Sequence, residues 1–174
     1  PEVGFSVLNH SEACALALEN NINVTLHADW EVAEGIKEVV LDSNARRVGH
    51  GSQIINDISL NGDEISFQSS AAKYVFDNNI ALEICPTSNV QCGAYSNVSD
   101  HSFGALFNAG FNVTINTDNR LMSDITMSEE VNNVVESFGL DEKDILSITR
   151  NTIEAGFVNA ELKNKALEKV STLY

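Results

Sequence analysis

Four polar or ionisable side chains recur at equivalent places along the chain: His27, His50, Glu83 and Asp118. His27, His50 and Asp118 each close a short apolar or β-branched run, and Glu83 lies inside a further one. A single histidine at a strand end ordinarily has only a structural role. Four such groups on successive parallel strands would face one site, because a β/α barrel gathers its catalytic side chains at the C-terminal strand ends. Histidine and aspartate are also ligand types that suit zinc. His10 and His101 fall on loops or helix starts. His101 follows Ser99 and Asp100 at an expected helix cap, so a capping or surface role is expected of it. Gly49 and Gly51 flank His50 and admit two readings, close backbone approach to a ligand or neighbouring strand, or a plain tight turn. The chain has no P-loop and no G-x-G-x-x-G after a strand, so nucleotide phosphate binding has no sequence support.

The elements that must carry these groups alternate between strand and helix. Strands are expected over residues 23–27, 46–49, 80–85 and 111–116. Helices are expected over 9–20 (Ala13, Leu16 and Ala17 on one face), 31–42 (Val32, Ile36, Val39, Val40), 71–76 and 102–109 (Phe103, Leu106, Phe107). After Asp118 the pattern is helical, over roughly 128–138, 142–151 and 160–173. Strands each followed by a helix imply a parallel sheet. Strand starts near residues 23, 46, 80 and 111 recur at the interval of one β/α unit, given that eight such units run to about 250 residues. The expected fold is therefore α/β, the C-terminal half of a (β/α)8 TIM barrel of metal-dependent hydrolase type, with an open doubly wound sheet as the competing architecture. Residues 52–69 read as a long, polar, helix-poor loop or lid on the active face.

Composition narrows the classes. The 174 residues form a single region, 43% hydrophobic, which excludes a disordered chain and agrees with a mean hydropathy of -0.08. A formal net charge of -15 argues against nucleic-acid or anionic-membrane partners. No run of 18 apolar residues suggests a membrane span. Cys14, Cys85 and Cys92 form no C-x-x-C or zinc-finger spacing and are expected to be buried thiols in a reducing, cytoplasmic setting. The start at Pro1, without Met or a leader-like segment, is expected of an internal piece of a longer product.

Four stretches together resemble the adenosine deaminase family: Val24-Thr-Leu-His27-Ala28, Arg47-Val-Gly-His50-Gly51, Leu82-Glu-Ile-Cys-Pro-Thr-Ser-Asn89 and Asn116-Thr-Asp118-Asn119, in this order and at similar spacings. Arg120-Leu-Met-Ser123 is most similar to the bacterial branch. The resemblance implies a zinc hydrolase that replaces the 6-amino group of adenosine by hydroxyl and releases ammonia. It implies His27 and Asp118 as ligands of Zn2+, His50 as the group that orients the zinc-bound hydroxide, and Asn119 at a position where many members place a second Asp against the purine. Zinc lowers the pKa of bound water to roughly 7, and a carboxylic acid must carry a proton to the purine ring nitrogen.

Two departures from the family pattern bear on activity. The family draws two further zinc ligands from an H-x-H pair on its first strand, and this chain contains no H-x-H. Catalytic zinc normally has three or more protein ligands. The family also reads H-A-G-E where this chain reads His27-Ala28-Asp29-Trp30-Glu31. Trp30 thus stands at the proton-shuttle position, where indole exchanges no proton. Asp29 brings a side chain and a charge to where the purine should approach. Glu31 is a candidate substitute acid, but one residue late it would face the other way on a strand unless the turn bulges, and it is alternatively an ordinary first-turn helix residue. The expected function is hydrolytic deamination of adenosine within a complete barrel, impaired by Asp29-Trp30. The expected partners are a purine nucleoside and either the missing N-terminal half or a second copy. The alternatives are a non-catalytic homologue or engineered half-barrel that binds purine or partner without turnover, and a related zinc hydrolase acting on adenine or a modified purine.

Overall fold

The computed structural model describes residues 5–28, 32–62 and 64–172. Helix α1 (Ser11–Glu19) leads into strand β1 (Thr25–Ala28), and α2 (Val32–Lys37) continues through a π-helical turn, Glu38–Asp42, towards β2 (Arg47–His50). An antiparallel pair follows, β3 (Ile58–Asn61) and β4 (Glu64–Phe67), then α3 (Ser70–Asp77) and β5 (Ala81–Ile84). Helices α4 (Pro86–Gln91) and α5 (Phe103–Asn108) separate β5 from β6 (Val113–Ile115). Beyond β6 come α6 (Arg120–Ser123), α7 (Met127–Phe138), α8 (Glu142–Ala155) and α9 (Ala160–Ser171).

The main sheet is parallel throughout, in the order β1-β2-β5-β6. Its register sets His27 beside Gly49, Gly49 beside Glu83, and Glu83 beside Thr114. Strand residues alternate between faces. Val48, Leu82, Ile84 and Val113 are fully buried with Val39 and Val40, Val75 of α3 and Phe103 and Leu106 of α5. That face packs on helices. The opposite face carries Thr25, His27, Glu83 and Asn116 around a cavity. A sheet with helices on one face and a polar cavity on the other is a barrel segment, not the doubly wound alternative.

Low on the inner face, Arg47 and Glu83 form an ion pair with Nε 2.8 Å from Oε1, and Thr25 Oγ1 donates to Glu83 Oε2 at 2.6 Å. The Arg47 guanidinium also donates to the Ala155 carbonyl at 3.1 Å and lies 3.8 Å from the centre of the Phe157 ring. One side chain therefore ties the α8–α9 turn to the floor of the inner face. Local sequence sets the later helices: α7 opens with a Thr126/Glu129 capping box and stops at Gly139 with φ 66°, and α8 opens with an Asp141/Asp144 box.

The structure corrects three expectations. Residues 52–69 are not an open lid. They form a 3₁₀ turn, Ser52–Asp57, and the β3–β4 hairpin, in which Ile54 and Ile58 are buried and Gly62 turns the chain at φ 62°. Helix α1 does not bury its apolar face, since Leu16 and Leu18 are 61% and 53% exposed. The cysteines differ among themselves: Cys85 is buried, Cys14 half-buried and Cys92 exposed.

Candidate active site

His27 is the third residue of β1, and its side chain faces the inner cavity. His50 ends β2 and Asp118 lies just beyond β6. Both adopt left-handed backbone, with φ 57° and 54°. Non-glycine residues rarely do so, at a cost of roughly 1–3 kcal/mol, and such strain concentrates at functional sites. Here it turns both side chains from the strand direction towards the same space. The His27 and His50 rings meet edge to face with centroids 4.8 Å apart. His27, His50, Glu83, Cys85, Asn116 and Asp118 line one cavity of about 310 Å³.

The flanking glycines separate the two readings offered for them. A Cβ on Gly49 would lie 3.2 Å from His27 Cα, so Gly49 permits close approach of the neighbouring strand. Gly51 makes the turn itself, at φ 69°, with a Cβ there only 2.8 Å from Leu82 Cδ2.

Helix α4 supplies the groups that hold the strand-end residues. Pro86 occupies its first turn and leaves no amide donor there. The next amide, that of Thr87, donates at 2.9 Å to Glu130 Oε1 of α7, a carboxylate 0% exposed. That anchor fixes the helix that carries Ser88 and Asn89 to Asp118 and His50. Ser88 Oγ donates to Asp118 Oδ2 at 2.7 Å, and Asn89 Nδ2 lies 3.3 Å from His50 Nδ1. On the far side, Asn89 Oδ1 lies 3.1 Å from His101 Nε2.

His101 departs from the surface role expected of it: it is 3% exposed, with its ring against Tyr95 at 4.1 Å between centroids. It does cap a helix, because the Phe103 amide that opens α5 donates to its Nδ1 at 2.9 Å. Burial, then the neighbouring His50, pull its pKa down to about 4. An unfolded chain would protonate this residue near 6.5. Between those values the unfolded state binds more protons, so stability falls as pH drops through the window. Urea midpoints should therefore decline from pH 7 to pH 5 by an amount that includes about 2 kcal/mol from this residue. His101→Phe should show a shallower decline, and an identical decline in both proteins would contradict the assignment.

Burial, aided by the Asp118 and Glu130 carboxylates, pushes the Cys85 thiol far above its usual range. Cys85 is accordingly a thiol at neutral pH and no nucleophile. Asn119 is placed elsewhere: its Oδ1 accepts from the Met122 amide at 3.3 Å as the cap of α6, and it lines a separate cavity of about 730 Å³ with Arg120, Asp124 and Glu129. Asp29, Trp30 and Glu31 lie outside the described residues.

The donor chemistry at the cavity suits zinc, but the number of donors does not. His27 and Asp118 are ligand types at one site, yet among the described residues no group of three or more His, Cys, Asp or Glu side chains could hold a metal ion.

A parallel β/α sheet with helices on one face, and a polar inner face with ionisable groups at its C-terminal strand ends, has the architecture of half of a (β/α)8 barrel. The chain is similar over 99% of its length, with a TM-score of 0.87 and 20% identity, to half of the adenine deaminase of Arthrobacter aurescens, covering 50% of that chain. It is similar, with a TM-score of 0.75 and 19% identity over 94% of its length, to 44% of an amidohydrolase from Burkhoderia ambifaria with bound zinc. Those likenesses show the fold. In sequence, the adenosine deaminase of Mycobacterium marinum is 36% identical over 170 residues, covering 97% of this chain and 47% of that protein. The adenosine deaminase family profile matches residues 1–173. The chain belongs to the adenosine deaminase family, and spans about half the length of the curated relatives it matches.

Proposed function

We propose that this chain is the C-terminal half of a zinc-dependent aminohydrolase that converts adenosine to inosine and ammonia once the barrel is complete. The observation that carries this reading is the convergence of His27, His50 and Asp118 on one cavity at the strand ends, in a chain of this family. His27 and Asp118 are the proposed zinc donors, completed by donors outside this chain such as an H-x-H pair. When bound, zinc supplies the Lewis acidity that makes water nucleophilic near neutral pH. Ser88 holds one oxygen of Asp118 and so orients the carboxylate. His50 hydrogen-bonds the attacking group from the β2 end. Asp29 and Trp30 stand at the purine-contact and proton-carrier positions of the family pattern, so turnover is slow, with Glu31 one residue late as a weak substitute acid. Asn119, next to Asp118, caps α6 at a neighbouring cavity. The proposed partner is the missing N-terminal half or a second copy, and the proposed setting is cytoplasmic. Among the described residues no helix is long and apolar enough to cross a membrane.

A second reading has its own observation. Asp29-Trp30 in place of Gly-Glu suits a homologue that binds purine without turnover. A related hydrolase acting on adenine or a modified purine is the alternative on the substrate side. All three are separated by ammonia release from adenosine and from adenine, with adenosine binding measured alongside. The protein to assay is the chain fused behind the N-terminal half of the Mycobacterium marinum relative. Release from adenosine above that from adenine is expected. Release from adenine instead would move the substrate, and binding of adenosine without any release would favour the non-catalytic homologue.

A further inference from the structure

We propose that Asn89 and His101 are positioning residues that hold His50 in a single neutral tautomer, with hydrogen on Nε2 and none on Nδ1. The inference rests on the reading of His50 as a site residue and says how that residue is set.

The chain of bonds begins at a group with no choice of role. The Phe103 amide can only donate, and it donates to His101 Nδ1 at 2.9 Å. His101 Nδ1 is therefore the unprotonated nitrogen of a neutral ring, and Nε2 carries the hydrogen. Burial and the depressed pKa of about 4 keep that ring neutral near pH 7. A hydrogen on Nε2 needs an acceptor, and the atom 3.1 Å away is Asn89 Oδ1. This orients the amide: with Oδ1 towards His101, Nδ2 must face His50 Nδ1, at 3.3 Å. An amide NH2 can only donate, so His50 Nδ1 accepts, and the hydrogen of the neutral ring sits on Nε2.

The relay is rigidly housed. Asn89 is 2% exposed and His101 3%, so neither exchanges its partner for bulk water. Tyr95 packs on the His101 ring and bonds the Ser102 hydroxyl at 2.9 Å. That hydroxyl in turn donates to the Ser52 carbonyl at 2.8 Å, directly after the β2 turn that carries His50. The consequence for chemistry is directional. His50 presents a donor, not an acceptor, from the nitrogen remote from Asn89, so it can hydrogen-bond an attacking oxygen but cannot take a proton there.

The test is a long-range proton–nitrogen NMR spectrum of the 174-residue chain labelled with nitrogen-15 in its histidine rings, with His50 assigned by loss of its signals in His50→Gln. His50 is expected to show a protonated-type Nε2 and an unprotonated-type Nδ1. Asn89→Asp retains the shape and the acceptor for His101 but removes the donor to His50, so the hydrogen of His50 should move to Nδ1. A wild-type spectrum with hydrogen mainly on Nδ1 would overturn the proposal. So would unchanged His50 signals in folded Asn89→Asp. Should Asn89→Asp not fold, the wild-type spectrum decides by itself. The readout involves neither zinc nor turnover, so an inactive barrel with the stated tautomer would refute the deaminase reading and leave this inference standing.

Discussion

The paired change Asp29→Gly and Trp30→Glu, in the fused barrel with the Mycobacterium marinum N-terminal half, is expected to raise ammonia release from adenosine by about 10²–10⁴-fold. The factor is the usual contribution of one positioned acid–base group. Hydrolysis at the amine-bearing purine carbon requires a proton on the ring nitrogen, and indole at position 30 has no proton to exchange near neutral pH. Asp29 stands where the family pattern has Gly, and on the proposed reading its charge opposes the purine, so reverting both residues together is the clean experiment. The single change Trp30→Glu should recover part of the rate. Fast turnover in the unaltered sequence would show that Glu31 or another carboxylate already carries the proton.

The second large effect concerns association. In the parallel sheet β1 and β6 are the edge strands. Among the described residues each leaves a row of backbone donors and acceptors without a strand on one side, which invites pairing with another chain. Leu16, Leu18 and Ile22 near β1 are also more than half exposed. In a whole barrel the inward residues of alternate strands fill shared layers, and here only one half of each layer is supplied. At about 25 cal/mol per Å² of apolar surface, covering Leu16, Leu18 and Ile22 adds to the drive to associate. Light scattering on the isolated chain should therefore give a mass well above 18.9 kDa. Mixing with the complementary half-barrel should replace self-association by a one-to-one complex. A cooperatively folding monomer at 18.9 kDa would contradict this expectation.

The four strands were legible in the sequence because each is a short β-branched or apolar run in a β/α repeat, and each expected range overlaps a strand of the parallel sheet. Helices α7 and α8 were legible as helical pattern after Asp118, over 128–138 and 142–151, while their capping boxes emerge only in the structure. The hairpin β3–β4 was not, since it is largely exposed and its residues read as a polar loop. Helices α4 and α6 span six and four residues, too few for a periodic signal. At the site, the convergence of His27, His50 and Asp118 could be anticipated from strand-end position. The groups that orient them could not. Ser88 reaches Asp118 across 30 positions, Asn89 reaches His50 across 39, and Glu130 reaches Thr87 across 43. Glu130 itself reads as an ordinary acid in the first turn of a helix. The adjacency of Ser88 and Asn89 directly after a strand and a proline was the one local signal, and the surface role expected of His101 failed because its burial is created by Tyr95 and Asn89.

The central claim is that His27 and Asp118 are zinc ligands of a barrel completed from outside this chain. Its most direct measurement is the zinc content of the fused barrel, purified without chelator, set beside His27→Ala and Asp118→Ala versions of the same fusion. The account predicts near-stoichiometric zinc in the parent fusion, a marked loss in each variant, and weak or partial occupancy in the isolated chain. Undiminished zinc in both variants, or full tight occupancy by the isolated chain, would contradict it.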